Sequence, residues 1–480
     1  MKRFVPLIFL LLPTLSMAQI AFGSPSAAAM GGAVTATVKD WEAIEINPAN
    51  LGWSSNHTLS MSIANVGVNI QDNALSLTKL KQLQPALDSM NGHGIIPPAQ
   101  RQQMIDAMSA PGGINLTASI TWAAISFSIP KIGGFAVNLT DELFVHAQLG
   151  QNAAKVITDL WDNDSTGIAA LLKQDPDLFT NNPTTLLSGS SAGGYHYREL
   201  NIDYGRKLLS INVHGHGTGG ASFENSEYLG AKSKTSDTIS SPLVIYGGFG
   251  VKPIWGLGDY NGNIVGTQNT EEGTYVYANP NYTNNMLGKV FMANGRGFGV
   301  DLGLSASYKK WKLGMSAIDL GKITWQNNTF LNTTVIFPAV DTLYNIIQKN
   351  SKAFNYFTRR GNGPNYTTQL PSKFRTGVSY QMSKGILLSG DLVAPLNSVE
   401  GNLQHPYVAV GAHINLFNLM NVSIGYAGEK EFPNVVPAGV FVALMGGFEV
   451  FVATDDLLAY LNQNDGRVIS AEAGIKLFGF

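Results

Sequence analysis

Period-two alternation, repeated in stretches of about ten residues, is the feature that most limits how this chain can fold. In 298–308 the even positions are Phe298, Val300, Leu302, Leu304, Ala306 and Tyr308, and the odd ones are Gly299, Asp301, Gly303, Ser305 and Ser307. A strand points successive side chains to opposite faces, so one face here is apolar with aromatic ends and the other is small and polar. Lys309 and Lys310 make a tight turn, after which Trp311, Leu313, Met315 and Ala317 return on one side and Lys312, Gly314 and Ser316 on the other. The pattern recurs at 372–382, 407–416 and 421–428. In 114–129 the apolar phase switches from even (Ile114, Leu116, Ile120, Trp122) to odd (Ile125, Phe127, Ile129) near Ala123 and Ala124. A β-bulge produces such a switch.

A soluble β-sandwich also alternates. Strand length, aromatics at strand ends, and polar faces built from Gly, Ser and Asn favour strands that meet lipid on one side and a lumen on the other. Composition agrees: only 13% of the 480 residues are charged and 52 are glycine, against about 25% charged and about 7% glycine in ordinary soluble domains. The expected fold is all-β, a transmembrane antiparallel barrel of about fourteen strands. A net charge of -2 leaves no electrostatic basis for holding nucleic acid. The longest apolar run past the first residues, 435–448, contains Pro437 and three glycines, two of them near its end, and is shorter than the roughly 18 residues of a helical span. Cysteine is absent, so stability must come from closed backbone hydrogen bonding or a large core, without disulfides.

Residues 1–18 read as a signal peptide: Lys2 and Arg3, an apolar stretch from Phe4 to Leu15, and Ser16-Met17-Ala18 before Gln19. Residues 19–56, rich in Gly, Ala and Ser, precede the first clear strand and belong either in the periplasm or inside the pore. The barrel is expected over 57–480, with helical insertions near 75–108, 152–179 and 337–354, where apolar residues fall at helical spacing. Phe478 and Phe480 at the carboxy terminus resemble the signal read by the outer-membrane barrel assembly machinery.

Ala28-Ala29-Met30-Gly31-Gly32-Ala33, followed by Glu45-Ile46-Asn47-Pro48-Ala49-Asn50, resembles the amino-terminal region of the long-chain fatty acid transporter-like (FadL-like) barrels. That resemblance implies a fourteen-stranded barrel in the outer membrane of a Gram-negative bacterium, with this segment as a hatch and Gly31, Gly32, Asn47, Pro48 and Ala49 at the gate. Three later stretches, His196–Lys207, Ser316–Trp325 and Leu370–Gly377, are similar to an uncharacterised family of the same superfamily, domain of unknown function 5723. It implies fold and location but no activity.

No nucleophile elbow, phosphate loop, zinc-protease motif or cysteine metal site is present. His214 and His216 share a strand face, too few ligands for a structural metal. Asp301, Lys373, Arg375, Asp391 and His413 fall on expected lumen faces, as a hydrogen-bonded or salt-bridged lining rather than a catalytic set. The chain is read as a non-enzyme without cofactor, passing small hydrophobic molecules through a gated barrel. The alternative is a non-transporting barrel that serves as scaffold or partner in a secretion or assembly complex.

Overall fold

In the computed structural model, described for residues 24–71, 76, 78–79, 81–82, 97–110, 112–161, 189–212, 242–261, 264–270, 273–278, 281–282, 293–326, 329–337, 355–362, 365–416, 419–429, 434–444, 447–461 and 468–478, the alternating stretches form the wall of a closed barrel. Its fourteen strands are β1 (Leu59–Gln71), β2 (Ile114–Ile129), β3 (Gly133–Gln148), β4 (Ser191–Ile211), β5 (Leu243–Asn261), β6 (Gly295–Tyr308), β7 (Trp311–Trp325), β8 (Lys373–Ser383), β9 (Ile386–Pro395), β10 (Tyr407–Leu416), β11 (Met420–Glu429), β12 (Ala438–Leu444), β13 (Phe448–Thr454) and β14 (Val468–Phe478). Each pairs antiparallel with the next. β14 then pairs back onto β1, from Ser60↔Phe478 to Gln71↔Val468. Closure leaves the fourteen-stranded wall without an edge and satisfies its ladder without water, which is what a sheet crossing lipid requires.

The two faces divide as the alternation predicts. Leu302, Leu304, Leu313, Met315, Val408 and Val410 are exposed on the outside, while Asp301, Ser305, Ser316, Asp391 and Ser423 are buried within. The β2–β3 register shifts between Thr121 and Ala123, and exposure moves there from even to odd positions, so the phase switch in the sequence is a bulge. A second bulge, between Ala317 and Leu320 where β7 meets β6, turns both Ile318 and Asp319 inward to buried positions. Asp319 sits at φ +59°, a left-handed conformation that Asp tolerates better than most residues.

The sheet also continues past the end of β5. Asn281–Tyr282 pairs with β5 and with Thr329–Phe337, which in turn pairs with Gly273–Ala278 and Asn355–Asn362. Tyr366–Gln369 runs ahead of β8 on the same β7 ladder. Helix Pro98–Met108 lies in the stretch 75–108, helix Gln151–Trp161 begins one residue before the stretch 152–179, and the two pack together. Residues 162–188 and 338–354, along with the expected signal peptide at 1–18, His214, His216 and Phe480, lie outside the described residues. Among the described residues no helix is long and apolar enough to cross a membrane.

The chain's own amino-terminal segment lies in the space enclosed by the wall. Helix Pro25–Ala29 packs on β11–β14, the 3₁₀ turn Asp40–Ala43 on β1–β3, and the 3₁₀ turn Pro48–Gly52 on β3–β6. It therefore touches opposite sides of the barrel.

Candidate functional site: the segment inside the barrel

The Asn47-Pro48-Ala49 turn is shaped by its own residues. Asn47 is extended at the N-cap, and its Oδ1 accepts from Ala49 N at 3.1 Å. Pro48 follows at the first position of the turn, where a missing N–H costs nothing. The Asn47 amide also reaches out of the segment, donating through Nδ2 to Leu304 O on β6 at 3.2 Å. Asn50 ties the segment to itself through bonds to Thr35 O and Val38 O at 3.1 and 3.0 Å. Trp53 donates to Ser305 Oγ at 3.0 Å, with the Lys312 ammonium 3.5 Å above its ring.

Beneath that turn the wall is stripped to backbone. Gly134, Gly205, Gly248 and Gly303 stand in register across β3, β4, β5 and β6. A Cβ at these four positions would run into Leu51 O, Pro48 O, Ala49 N and Asn47 Oδ1, respectively. Four glycines in a row let the turn lie directly against the sheet. No single strand reveals this row, because it exists only once register is known.

The far side of the segment is held by charge instead. Asp391 on β9 accepts from the backbone N–H groups of Val34 and Thr35 at 3.0 and 2.8 Å. Arg375 on β8 donates to Gly32 O at 2.8 Å and to Thr35 Oγ1 at 3.1 Å, and lies 3.7 Å from Asp391. Both side chains are buried, and each satisfies a segment group and the other's charge, as buried ions require. Tyr407, Ser389, Ser379 and Ser316 donate to the carbonyls of Gly31, Ala33, Ala36 and Ile46. Gly31 adopts φ +60°, and a Cβ there would press within 2.7 Å of Pro437 Cγ.

Two carboxylates of the segment, three residues apart, sit in opposite electrostatic settings. Glu42 accepts from Lys476 Nζ on β14 at 2.7 Å, from Ser24 Oγ at 2.8 Å and from Ser26 N at 3.1 Å. Burial alone would raise its carboxyl, but the Lys476 ammonium and these hydrogen bonds outweigh it and hold it below the usual range. Glu45 instead faces Glu199 on β4 and Asp319 on the β7 bulge, their carboxylate oxygens within 4.8 Å of one another. Burial, and then the Glu199 charge, pushes the Glu45 carboxyl well above its usual range. Carboxylates so placed have the chemistry of a hard-cation site. Lys252 already supplies a cation: its Nζ lies 2.5 Å from Asp319 Oδ1, 3.1 Å from Asp301 Oδ2 and 3.5 Å from Glu45 Oε1, so a metal ion would have to compete with an ammonium in place.

Of the residues singled out in the sequence, Asp301, Arg375 and Asp391 are buried inside, while Lys373 and His413 are half-buried. His413 Nδ1 lies 2.8 Å from Ser423 Oγ. Phe478 contributes backbone pairing to Ser60. Sequence reasoning missed the glycine row, Lys252 with its carboxylates, and the Glu42–Lys476 pair.

Residues 251–455 match the family model described as Family of unknown function (DUF5723). No curated protein sequence matches the chain. Among solved structures, it is similar to the TodX deltaS2S3 mutant monoaromatic hydrocarbon channel, at 10% identity and TM-score 0.45, over 94% of this chain and 97% of that one. It is also similar to the Pseudomonas putida toluene transporter TodX, at 12% identity and TM-score 0.39 over 96% and 98% of the two chains. A Pseudomonas aeruginosa FadL homologue follows at 9% identity and TM-score 0.40, over 98% of each. The stretches Ser316–Trp325 and Leu370–Gly377 fall inside the matched region and His196–Lys207 precedes it, so it is over residues 251–455 that the chain is similar to the family of unknown function DUF5723.

Proposed function

We propose that this chain is an outer-membrane barrel that passes small hydrophobic molecules, with residues 24–53 as the hatch. The observation that carries the reading is the kind of attachment the segment has. It is seated on glycines and tied by hydrogen bonds and ion pairs, without a strand of its own in the wall, so it can be displaced without opening the ladder. The seam beside it is apolar, with Met30, Val34, Val38 and Ile46 packed against Val393, Tyr407 and Val435, which suits a hydrophobic solute. The gate residues in this reading are Gly31, Gly32, Asn47, Pro48 and Ala49.

The signal peptide, the outer-membrane address and insertion by the barrel assembly machinery belong to the same proposal, resting on the closed wall and its apolar outer face. Scaffolding in a secretion or assembly complex is the second reading. The density of ties on the segment and the sheet extending beyond β5 favour it.

Deletion of residues 24–52 tests the hatch. Reconstituted in liposomes and folded, the deleted barrel is expected to admit a small hydrophobic solute several-fold faster than the full chain. Equal rates from two folded barrels would remove the hatch and leave the scaffold.

A further inference from the structure

The outer face of β6 and β7 carries a groove of about 750 Å³, lined by Arg296 and Phe298 on β6, Lys322 and Thr324 on β7, and Leu320 and Leu396 below and beside them. Its height on the barrel can be read from the strand itself. Phe298, Leu302 and Leu304 face outward, and the same face of β6 ends at Tyr308 by the turn. Ten residue steps at about 3.3 Å each, tilted by about 40°, span about 25 Å, the height of the apolar band of a membrane barrel. Phe298 and Tyr308 are then the two aromatic girdles. Arg296 lies two residues beyond the upper one, at the level of lipid headgroups.

The neighbouring strands repeat that level. On β7 the outward residues Trp311, Leu313 and Met315 give way above the bulge to Leu320 and then Lys322. Register places Phe298 opposite Lys322 and Arg296 opposite Thr324, so the two cations are diagonal neighbours, about 7–8 Å apart along the sheet. Trp255 on β5 stands opposite Arg296. The groove is lined by no acidic residue, and among the described residues neither cation has an ion-pair partner. The short turn Lys309–Lys310 marks the opposite end, since turns are short on the periplasmic side and loops long on the outer one. The groove therefore faces the outer leaflet.

We propose that this groove is a binding site for an outer-leaflet lipid carrying an anionic phosphate. Its phosphate sits between Arg296 and Lys322, Thr324 supplies a hydroxyl donor, and acyl chains run down over Phe298, Leu320 and Leu396. Two cations on a fixed sheet recognise a phosphate by charge and geometry, and the apolar floor beneath them selects an amphiphile over a free anion. The inference rests on the outer-membrane location proposed above and is independent of transport.

The test uses the full chain purified in detergent and native mass spectrometry with lipid A as the probe. Dephosphorylated lipid A, phosphatidylethanolamine and inorganic phosphate serve as comparisons. Wild type is expected to retain lipid A in preference to all three. Arg296→Ala with Lys322→Ala should weaken retention by about twenty-five-fold, from about a factor of five for each cation near a lipid surface, while Lys309→Ala with Lys310→Ala at the opposite end should leave it unchanged. Equal retention by the Arg296/Lys322 variant and wild type would overturn the site, as would dephosphorylated lipid A bound equally well. Binding of inorganic phosphate as strong as of lipid A would overturn the lipid assignment. The assay is done on isolated protein, so its failure leaves location untouched. A failure of location would appear separately, as protein recovered outside the outer-membrane fraction.

Discussion

The wall grips the segment in two different ways on its two sides. Under Asn47-Pro48-Ala49, strands β3–β6 offer four glycines in register and hold the turn by shape. Opposite, β8, β9 and β14 hold residues 24–42 by ions and hydrogen bonds, through Arg375, Asp391 and Lys476. The glycine seat has no charge to titrate and nothing for salt to screen. The ionic clasp has both, and so does the ground beside the glycines, where Glu45 meets Glu199 on β4 and Lys252 on β5. If the segment moves as a hatch, the clasp is where release begins and the seat is where return is registered.

The largest effect expected from breaking this comparison is at the clasp. Asp391→Ala removes the acceptor for two buried backbone N–H groups and leaves Arg375 without its counter-charge, a loss of about 3–5 kcal/mol. Denaturant unfolding of the purified barrel measures it, and labelling of a cysteine placed at Thr35 should rise with it. At the seat, Gly248→Ala puts a methyl against the Pro48–Ala49 backbone and should cost about 1–3 kcal/mol by overpacking. Gly390→Ala is the control, because the atoms nearest its Cβ are 3.7 Å away, and it should change stability far less.

The two segment carboxylates sharpen the contrast through pH. Glu42 is held below its usual range in the folded chain, so its contribution is present above the unfolded value and is lost as pH falls through the folded one. Glu45 is raised, so its penalty sets in as pH rises above the unfolded value toward the folded one. Glu42→Gln should destabilise at neutral pH by about 1–3 kcal/mol and flatten the acid limb of the stability profile. Glu45→Gln should leave stability equal or higher at neutral pH. Finally, Asn47→Ala removes the cap and the bond to Leu304 O and should cost about 1 kcal/mol, visible as a small shift in the same unfolding curves.

How much of this was legible in the sequence follows from what period-two reading can carry. Strands, the Lys309–Lys310 turn and the bulge near Ala123 are local, and each left its mark in the alternation. Asp301, Arg375 and Asp391 sit on inward positions in stretches where the alternation is unbroken, so parity found them. Asp319 escaped for the same reason: counted from Leu313 and Met315 it falls on the outward face, and only the bulge between Ala317 and Leu320 turns it in toward Lys252. The glycine row is invisible strand by strand, since its meaning depends on partners such as Gly205 and Gly248 meeting across the sheet. Glu42 and Lys476 lie at the two ends of the chain, and nothing local links them.

The central claim is that the segment must move for the barrel to conduct. The chain has no cysteine, so one engineered pair gives a clean tether. Ala29→Cys with Gly439→Cys suits it, because a Cβ at 439 would lie 2.5 Å from that of Ala29, near enough to form a disulfide once the backbone eases apart by about 1 Å. With residue 29 bonded to β12 and Trp53 leading into β1, the segment is fixed at both ends. The measurement is uptake of a small hydrophobic solute into liposomes by this variant, oxidised and then reduced. The account predicts little uptake when oxidised and recovery to the untethered rate on reduction. Equal uptake in the two states, with the disulfide verified, would contradict it.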